Sequence, residues 1–195
     1  MEFKVFQKEL ELQSRGWIPT FHDVTKEIGN IVAMSGVKNG TVCVASHHTT
    51  CSVMVQETSH DIDKWGIEYL QHDLLDIMKK LVPSFDEEHQ YRHPGPVHTN
   101  YGRYVNEPGD YTSLTTDGHL RSCFFGRSET MTIKDGVLDG GEFAHVYFID
   151  WELRAPSGAR PCPSCCPPRA ISGPPASAMK RAASSTGAVL PARDG

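Results

Sequence analysis

Histidines are unusually concentrated in the middle of this chain. Ten histidines occur among 195 residues, and eight of them lie between positions 47 and 119. A solvated surface position is the ordinary explanation for any one histidine, but their clustering favours a metal site or an acid–base site. His48, His93 and His119 each lie near the end of a predicted element or in a long loop, where distant parts of a chain can converge. We therefore predict a histidine-centred site built on these three residues.

A second concentration of polar side chains separates two apolar, strand-like runs. It reads His47-His48-Thr49-Thr50-Cys51-Ser52. Hydroxyl groups beside an imidazole at the end of a strand can bind an anion and a metal ion together. An ordinary polar connection between strands is the alternative, and the sequence leaves both open.

Two carboxylates are candidates for acid–base or orienting roles. Glu57 follows the second strand-like run, and Asp73 borders the apolar stripe of a predicted helix. A carboxylate near a buried face usually has a partner, and a ligand histidine would be a suitable one. Either carboxylate could also act as a general base, while Glu57 could equally be a solvated strand end.

A segment rich in proline, glycine and asparagine, 83–118, has no clear hydrophobic period. Loops of this length in compact domains are often functional. Just after it, Arg121 and Arg127 could pair with phosphate oxygens. Gly126 would let a ligand approach the backbone closely, and Ser128 adds a hydroxyl.

Hydrophobic periodicity predicts one small α+β domain. Residues 3–13, 41–45, 51–55, 130–134 and 145–153 are the predicted strands, and 23–34, 59–81 and 117–124 are the predicted helices. Gly36 is a stop signal for the first helix, Ser59 is a plausible N-cap of the second, and Asp135-Gly136 is a predicted turn.

The composition changes after Arg154. Residues 155–195 are rich in alanine, proline, serine, glycine and arginine and have few large apolar side chains. Such a segment buries too little surface to offset its ordering entropy, so we predict a domain over 1–154 and a disordered tail over 155–195. Removal of the tail is then expected to leave the domain's stability unchanged. A Cys-x-x-Cys pair in the tail, with no second pair nearby, is a weak zinc signal.

The overall charge and hydropathy narrow the choice of partners. The formal net charge is −5 and the sequence pI is near 6.0, which gives no electrostatic reason to expect nucleic acid or an anionic membrane. No run of about 18 apolar residues is present, so we expect no membrane span. The first residues lack the apolar core of a secretory signal, which leads us to expect a cytoplasmic protein with reduced cysteines.

An ordered series of short motifs resembles the YjbQ-like, or secondary thiamine-phosphate synthase, family. The series covers roughly Phe3 to Arg154. It comprises Ser14-Arg15-Gly16, His48-Thr49-Thr50-Cys51-Ser52 with Gln56-Glu57, His72-Asp73-Leu74, Leu81-Val82-Pro83, Tyr91-Arg92-His93, Gly118-His119-Leu120-Arg121-Ser122 and Gly126-Arg127-Ser128. One departure is Gly140-Gly141-Glu142-Phe143-Ala144, where the family usually carries Gly-x-Trp-Gln-Gly, and this departure could alter substrate choice.

The resemblance implies a small α+β domain with an antiparallel sheet or sandwich that assembles as a homotrimer. It implies a pocket lined by histidines that holds a divalent metal, with zinc as the expected ion. His48, His93 and His119 would be the ligands, and Glu57 or Asp73 would orient a ligand or act as base. Thr49, Thr50, Ser52, Arg121, Gly126 and Ser128 would contact phosphate groups of a small phosphorylated metabolite. The implied reaction joins a pyrimidine pyrophosphate to a thiazole phosphate, as either the main or a side activity.

Two other functions remain open at this stage. The same three histidines could activate water in a metal-dependent hydrolase of a small phosphorylated metabolite. The protein could instead be a non-enzymatic trimer that binds a metal or a metabolite. The histidines could also act without any metal, by binding substrate phosphate when protonated.

Overall fold

The computed structural model describes residues 3–15, 18–86, 90–105, 115–152 and 182–191, with the backbone alone at 3, 4, 103 and 182–191. In chain order the elements are β1 (Phe3–Leu12), β2 (Thr20–Asp23), α1 (Thr25–Ser35), β3 (Gly40–Ser46), β4 (Cys51–Glu57), α2 (Tyr69–Leu81), α3 (Pro96–Tyr104), α4 (Thr116–Phe125), β5 (Ser128–Lys134), β6 (Val137–Asp139), β7 (Ala144–Asp150) and β8 (Ala182–Pro191).

The strands form two antiparallel sheets. One has the order β1-β8-β3-β5-β6 and the other has the order β2-β7-β4. The predicted class, an α+β fold with antiparallel sheets and a few helices, is confirmed.

β7 is the central strand of the smaller sheet, and it is buried on both faces. Val146 and Phe148 pack with α1 and the larger sheet, whereas Tyr147, Ile149 and Trp151 pack toward α2. A strand covered on both sides has apolar residues at consecutive positions instead of alternate ones, which explains the continuous apolar run in the sequence.

Two local signals are confirmed in detail. Gly36 adopts a left-handed conformation, with φ of 68°, directly after α1, and this is the conformation that ends helices at glycine. Asp135 and Gly136 have φ values of 52° and 82°, and they join β5 to β6 in a tight hairpin.

The helix predicted over 59–81 is shorter than its hydrophobic pattern suggests. α2 begins at Tyr69, and its N-cap is Glu68, whose side chain forms a capping box with Gln71. The Asp63 carboxylate accepts hydrogen bonds from the backbone N–H groups of Trp65 and Ile67, at 2.8 and 2.9 Å, and so stabilises a turn. These side-chain bonds to the backbone compete with helix, so Ser59 is not the N-cap.

The segment 155–195 contains β8, whose backbone lies between β1 and β3. Residues 182–191 form this strand. The division into a domain over 1–154 and a disordered tail over 155–195 stays a prediction. Of the helices within the described ranges, none has the length and apolar character needed to cross a membrane.

Candidate functional site

The candidate site lies where the β3–β4 connection meets α4 and the end of β7. The backbone N–H of Trp151 donates to the Thr50 carbonyl at 3.1 Å and so continues the β4–β7 ladder beyond Cys51. At Gly118, α4 comes close to the Trp151 backbone and the Thr50 methyl group, which an added Cβ would meet at 3.4 and 3.5 Å. This close approach brings the first turn of α4 to the histidine-containing connection.

A serine on α4 attaches that helix to the connection. The Ser122 hydroxyl lies 2.8 Å from the carbonyl oxygens of both Thr49 and His119. The His119 ring also hydrogen-bonds the Thr49 carbonyl. One nitrogen of His119 is therefore occupied as a donor, and the other keeps its lone pair.

Three imidazole rings lie together at this position. The ring centroids of His93 and His119 are 5.8 Å apart, and those of His93 and His98 are 4.5 Å apart, both in edge-on arrangements. α3 supplies His98, while the hydroxyl of Thr116 holds the His93 backbone by donating to its carbonyl at 2.6 Å. The structure thus brings His93 and His119, which the sequence singled out, into one cluster.

The environment of this cluster favours neutral imidazoles. Burial lowers the pKa of His93, and the nearby His98 and His119 lower it further. Burial also lowers the pKa of His119, and the Thr49 carbonyl and the Glu152 carboxylate oppose the shift only in part. Both rings are therefore predominantly unprotonated at neutral pH.

His48 is linked to a carboxylate through a hydroxyl group. The Nδ1 atom of His48 lies 2.8 Å from the Thr50 hydroxyl oxygen. The same hydroxyl donates to the Glu152 carboxylate at 3.4 Å. Thr50 and Glu152 are buried, and His48 is close enough to His119 to lower its pKa.

The donors at this position fit a divalent metal in their chemistry. Neutral imidazoles with one nitrogen held by a hydrogen bond are the usual zinc-binding form of histidine. Their spacing fits less well, because within the ranges that the structure describes no three histidine, cysteine, aspartate or glutamate side chains are grouped closely enough to hold a metal ion. The metal set His48, His93 and His119 stays a prediction.

The predicted phosphate contacts divide into exposed and buried residues. Thr49, Gly126, Arg127 and Ser128 are exposed. The Arg127 carbonyl accepts from the Ser46 N–H at 2.8 Å, so this arginine lies beside the start of the histidine connection. These residues are placed where an anion could reach them.

Arg121 has a different environment from the one its predicted phosphate role needs. It is only 1% exposed, and its guanidinium donates two hydrogen bonds to the Val82 carbonyl, at 3.2 and 2.9 Å. It also donates to the Ser84 hydroxyl and pairs with the Asp117 carboxylate at 3.5 Å. These contacts tie α4 to the end of α2, which is a structural role.

Ser52 is buried in the same way. Its hydroxyl accepts from the Trp151 indole N–H at 2.8 Å and lies 3.3 Å from the Ser122 carbonyl. These two bonds hold α4 and the end of β7 against β4. Because the Ser52 hydroxyl is buried and already bonded, it is not exposed to an anion at the surface.

The two predicted carboxylates lie elsewhere. Glu57 is exposed at the far end of β4, about 20 Å of strand from Cys51. Asp73 is on the exposed side of α2, about 13 Å of helix rise before Val82. Neither carboxylate is among the groups that shift the pKa of His93 or His119, and their predicted orienting or base roles stay predictions.

Glu152 and His98 complete the site, and the sequence did not single them out as site residues. Glu152 lies near the end of the predicted strand 145–153 and is only 6% exposed. A charged residue that ends a continuous apolar run was the available signal. His98 lies five positions after His93 on a helix that the proline-rich composition concealed.

Comparisons with known proteins agree on one family. The profile described as UPF0047 protein YjbQ-like matches residues 8–160. A UPF0047 protein of Methanothermobacter thermautotrophicus is 24% identical over 157 residues, covering 80% of this chain and 89% of the relative. The UPF0047 protein YugU of Bacillus subtilis is 20% identical over 130 residues, covering 67% and 78%.

Solved structures have the same fold. A YbjQ-like protein of unknown function from Sulfolobus solfataricus aligns with a TM-score of 0.62 at 15% identity, over 97% of this chain and 100% of the other. A YjbQ/UPF0047 protein from Clostridium acetobutylicum aligns with a TM-score of 0.53 at 19% identity, over 75% and 90%.

Proposed function

Because the chain belongs to the UPF0047 YjbQ-like family and gathers histidines in one cluster, we propose that it is a histidine-centred enzyme acting on a small phosphorylated metabolite. We propose further that the reaction is of the thiamine-phosphate synthase type. The single observation that carries the proposal is the convergence of His93, His98 and His119 with His48 and the buried Glu152.

The proposed reaction joins a pyrimidine pyrophosphate to a thiazole phosphate. The bond between the pyrimidine methylene carbon and the pyrophosphate oxygen breaks, and its electron pair leaves with the pyrophosphate. The thiazole nitrogen supplies the electron pair for the new carbon–nitrogen bond. The main requirement is stabilisation of the negative charge on the departing pyrophosphate.

The exposed residues at the edge of the site suit that requirement. Arg127 can pair with phosphate oxygens, and Ser128 and Thr49 can donate hydroxyl hydrogen bonds to them. The open surroundings and positive φ of Gly126, at 77°, leave room for a phosphate near the backbone.

The lowered pKa values of His93 and His119 favour one role of the histidines over another. A histidine that binds phosphate by charge must be protonated, and burial disfavours that state here. Neutral imidazoles instead accept hydrogen bonds or bind a cation. The predicted divalent ion, with zinc as the expected one, would need His48, His93 and His119 to lie closer together than they do in this structure. If bound there, it would supply Lewis-acid stabilisation of the pyrophosphate.

The test is a coupling assay with the purified full chain. The protein is incubated with the pyrimidine pyrophosphate, the thiazole phosphate and a series of divalent cations, and thiamine phosphate and pyrophosphate are measured by chromatography. We expect product with the wild type and a loss of about 100-fold in kcat for His119→Ala. His60→Ala is the matched control, since His60 is exposed in the segment before α2.

Each other outcome contradicts the proposal in a defined way. Pyrophosphate release without the thiazole substrate would identify a hydrolase. Binding of a metal or a substrate with no turnover would identify a binding protein. An equal loss of activity in His119→Ala and His60→Ala would contradict the assignment of His119 to the active site.

A further inference from the structure

The link between His48 and Glu152 fixes where the proton of the imidazole lies. We propose that Glu152, acting through Thr50, is a positioning residue that holds His48 as the tautomer protonated on Nδ1, so that Nε2 is the nitrogen open to a substrate or ligand. The catalytic consequence depends on the proposed function, whereas the tautomer itself does not.

The argument begins with the donors and acceptors that the three groups possess. A hydroxyl has one proton to donate, and an ionised carboxylate has none. The Thr50 hydroxyl bonds His48 and Glu152, and its side chain also hydrogen-bonds Cys51. The bond to Glu152, at 3.4 Å, can be made only if Thr50 donates. The 2.8 Å contact between the Thr50 oxygen and His48 Nδ1 must then be made with the imidazole as donor.

Burial strengthens this assignment. Thr50 is 1% exposed and Glu152 is 6% exposed, so water has little access to either group. A donor directed at Glu152 lowers the desolvation cost of this buried carboxylate, so the Thr50 proton directed at Glu152 adds to the other interactions of that residue. The backbone N–H of Glu152 bonds the Asp150 carboxylate at 3.0 Å, and the adjacent N–H of Trp151 bonds the Thr50 carbonyl. These two backbone bonds set the position of Glu152 relative to Thr50.

The direction of the hydrogen bonds from His48 through Thr50 to Glu152 decides the chemistry of His48. With the proton on Nδ1, the Nε2 atom of a neutral ring has an unshared electron pair. Without an acceptor beyond it, the Thr50 hydroxyl could turn and donate to Nδ1, which would move the ring proton to Nε2 and close that nitrogen. Carboxylate partners set the tautomer of ligand and catalytic histidines by the same logic.

Nitrogen NMR of histidine-labelled protein tests the tautomer directly. Long-range proton–nitrogen spectra distinguish a protonated ring nitrogen from one with a lone pair. They are recorded on metal-stripped protein about two pH units above the ordinary imidazole pKa of about 6.5. His48→Gln assigns the signals by their disappearance. We expect the wild type to have a protonated Nδ1 and a lone pair on Nε2.

Three variants test the link. Thr50→Val removes the hydroxyl at nearly constant side-chain size. In this variant we expect the His48 ring to be a mixture of its two tautomers. Glu152→Ala should have the same effect, although Glu152 also acts on His119, so Thr50→Val is the cleaner variant. Thr50→Ser restores the hydroxyl and should restore the wild-type signals. A role of Thr50 in packing alone would not change which ring nitrogen carries the proton.

The outcomes separate this inference from the proposed function. A wild-type His48 protonated on Nε2 would overturn the inference without any variant having to fold. Retention of the Nδ1 tautomer in both Thr50→Val and Glu152→Ala would overturn it as well. The expected tautomer in a protein that forms no thiamine phosphate would leave the inference standing and remove the proposed reaction.

Discussion

Arginine residues with similar sequence surroundings have opposite environments in this protein. Arg121 lies in α4 and Arg127 lies just after it, each within a short motif, and both were predicted to contact phosphate. Arg121 is 1% exposed and hydrogen-bonded to the end of α2, whereas Arg127 is exposed beside the histidine connection. The residue type alone therefore indicates an affinity for anions but not whether the group can meet one.

Replacement of Arg121 should destabilise the fold. Arg121→Met leaves the Asp117 carboxylate and the Val82 carbonyl buried without their partner, and breaking a buried pair from one side costs about 3–5 kcal/mol. Denaturant unfolding followed by circular dichroism measures the change. Arg127→Met is the matched control and should change stability by less than about 0.5 kcal/mol. A similar loss in both variants would contradict the structural role of Arg121.

The meeting of His93 and His119 was more predictable from the sequence than the other residues that surround them. His93 and His119 converge as expected, because histidines near element ends in a compact domain have a good chance of meeting. Glu57 and Asp73 do not join them, since the end of a strand and the side of a helix on which a residue lies depend on the tertiary arrangement. Glu152 was missed because its burial results from packing between distant elements.

At the scale of elements, periodicity predicted β1, β3, β4, β5, β7 and the first helix well, and it did not predict β8. It failed where side chains bond the local backbone, as at Asp63 and Glu68 before α2, because such bonds leave no trace in the apolar pattern. It also missed short elements such as β2 and β6, which contain only four and three residues. Pairing with longer strands sustains these elements, and no local pattern predicts such pairing.

Removal of β8 should weaken the larger sheet. Chain termination after residue 181 takes away the neighbour of both β1 and β3, so we expect a loss of at least about 2 kcal/mol from the broken ladders. Composition predicts no change for the same truncation. Thermal unfolding decides between the two expectations, and termination after 191 is the control. An unchanged melting temperature without β8 would show that the ladders contribute nothing to stability.

At the scale of the whole molecule, we propose that three copies assemble. The support from this chain is an apolar stripe on the outer side of α2, where Leu70, Ile77 and Leu81 are 36%, 52% and 60% exposed. Exposed apolar stripes of this kind often mark contacts between proteins.

Sedimentation at micromolar concentration should give a mass of three times the 21.6 kDa chain. Ile77→Glu places a charge in the stripe and should shift the population toward the monomer, whereas Lys80→Glu, at an exposed position outside the stripe, should not. A monomeric wild type would contradict the proposed trimer. A trimer that Ile77→Glu leaves intact would show that the stripe is not the contact between its subunits.

The position of β8 also has a consequence for synthesis of the protein on the ribosome. Among the described strands β1 is made first, and it pairs only with β8, which is made last. Until residues 182–191 emerge, β1 and one side of β3 keep their backbone groups unpaired, and open strand edges readily join other chains. Contacts between such distant parts of a chain also form slowly. A chain that ends before residues 182–191 is therefore expected to aggregate more readily than one that includes them.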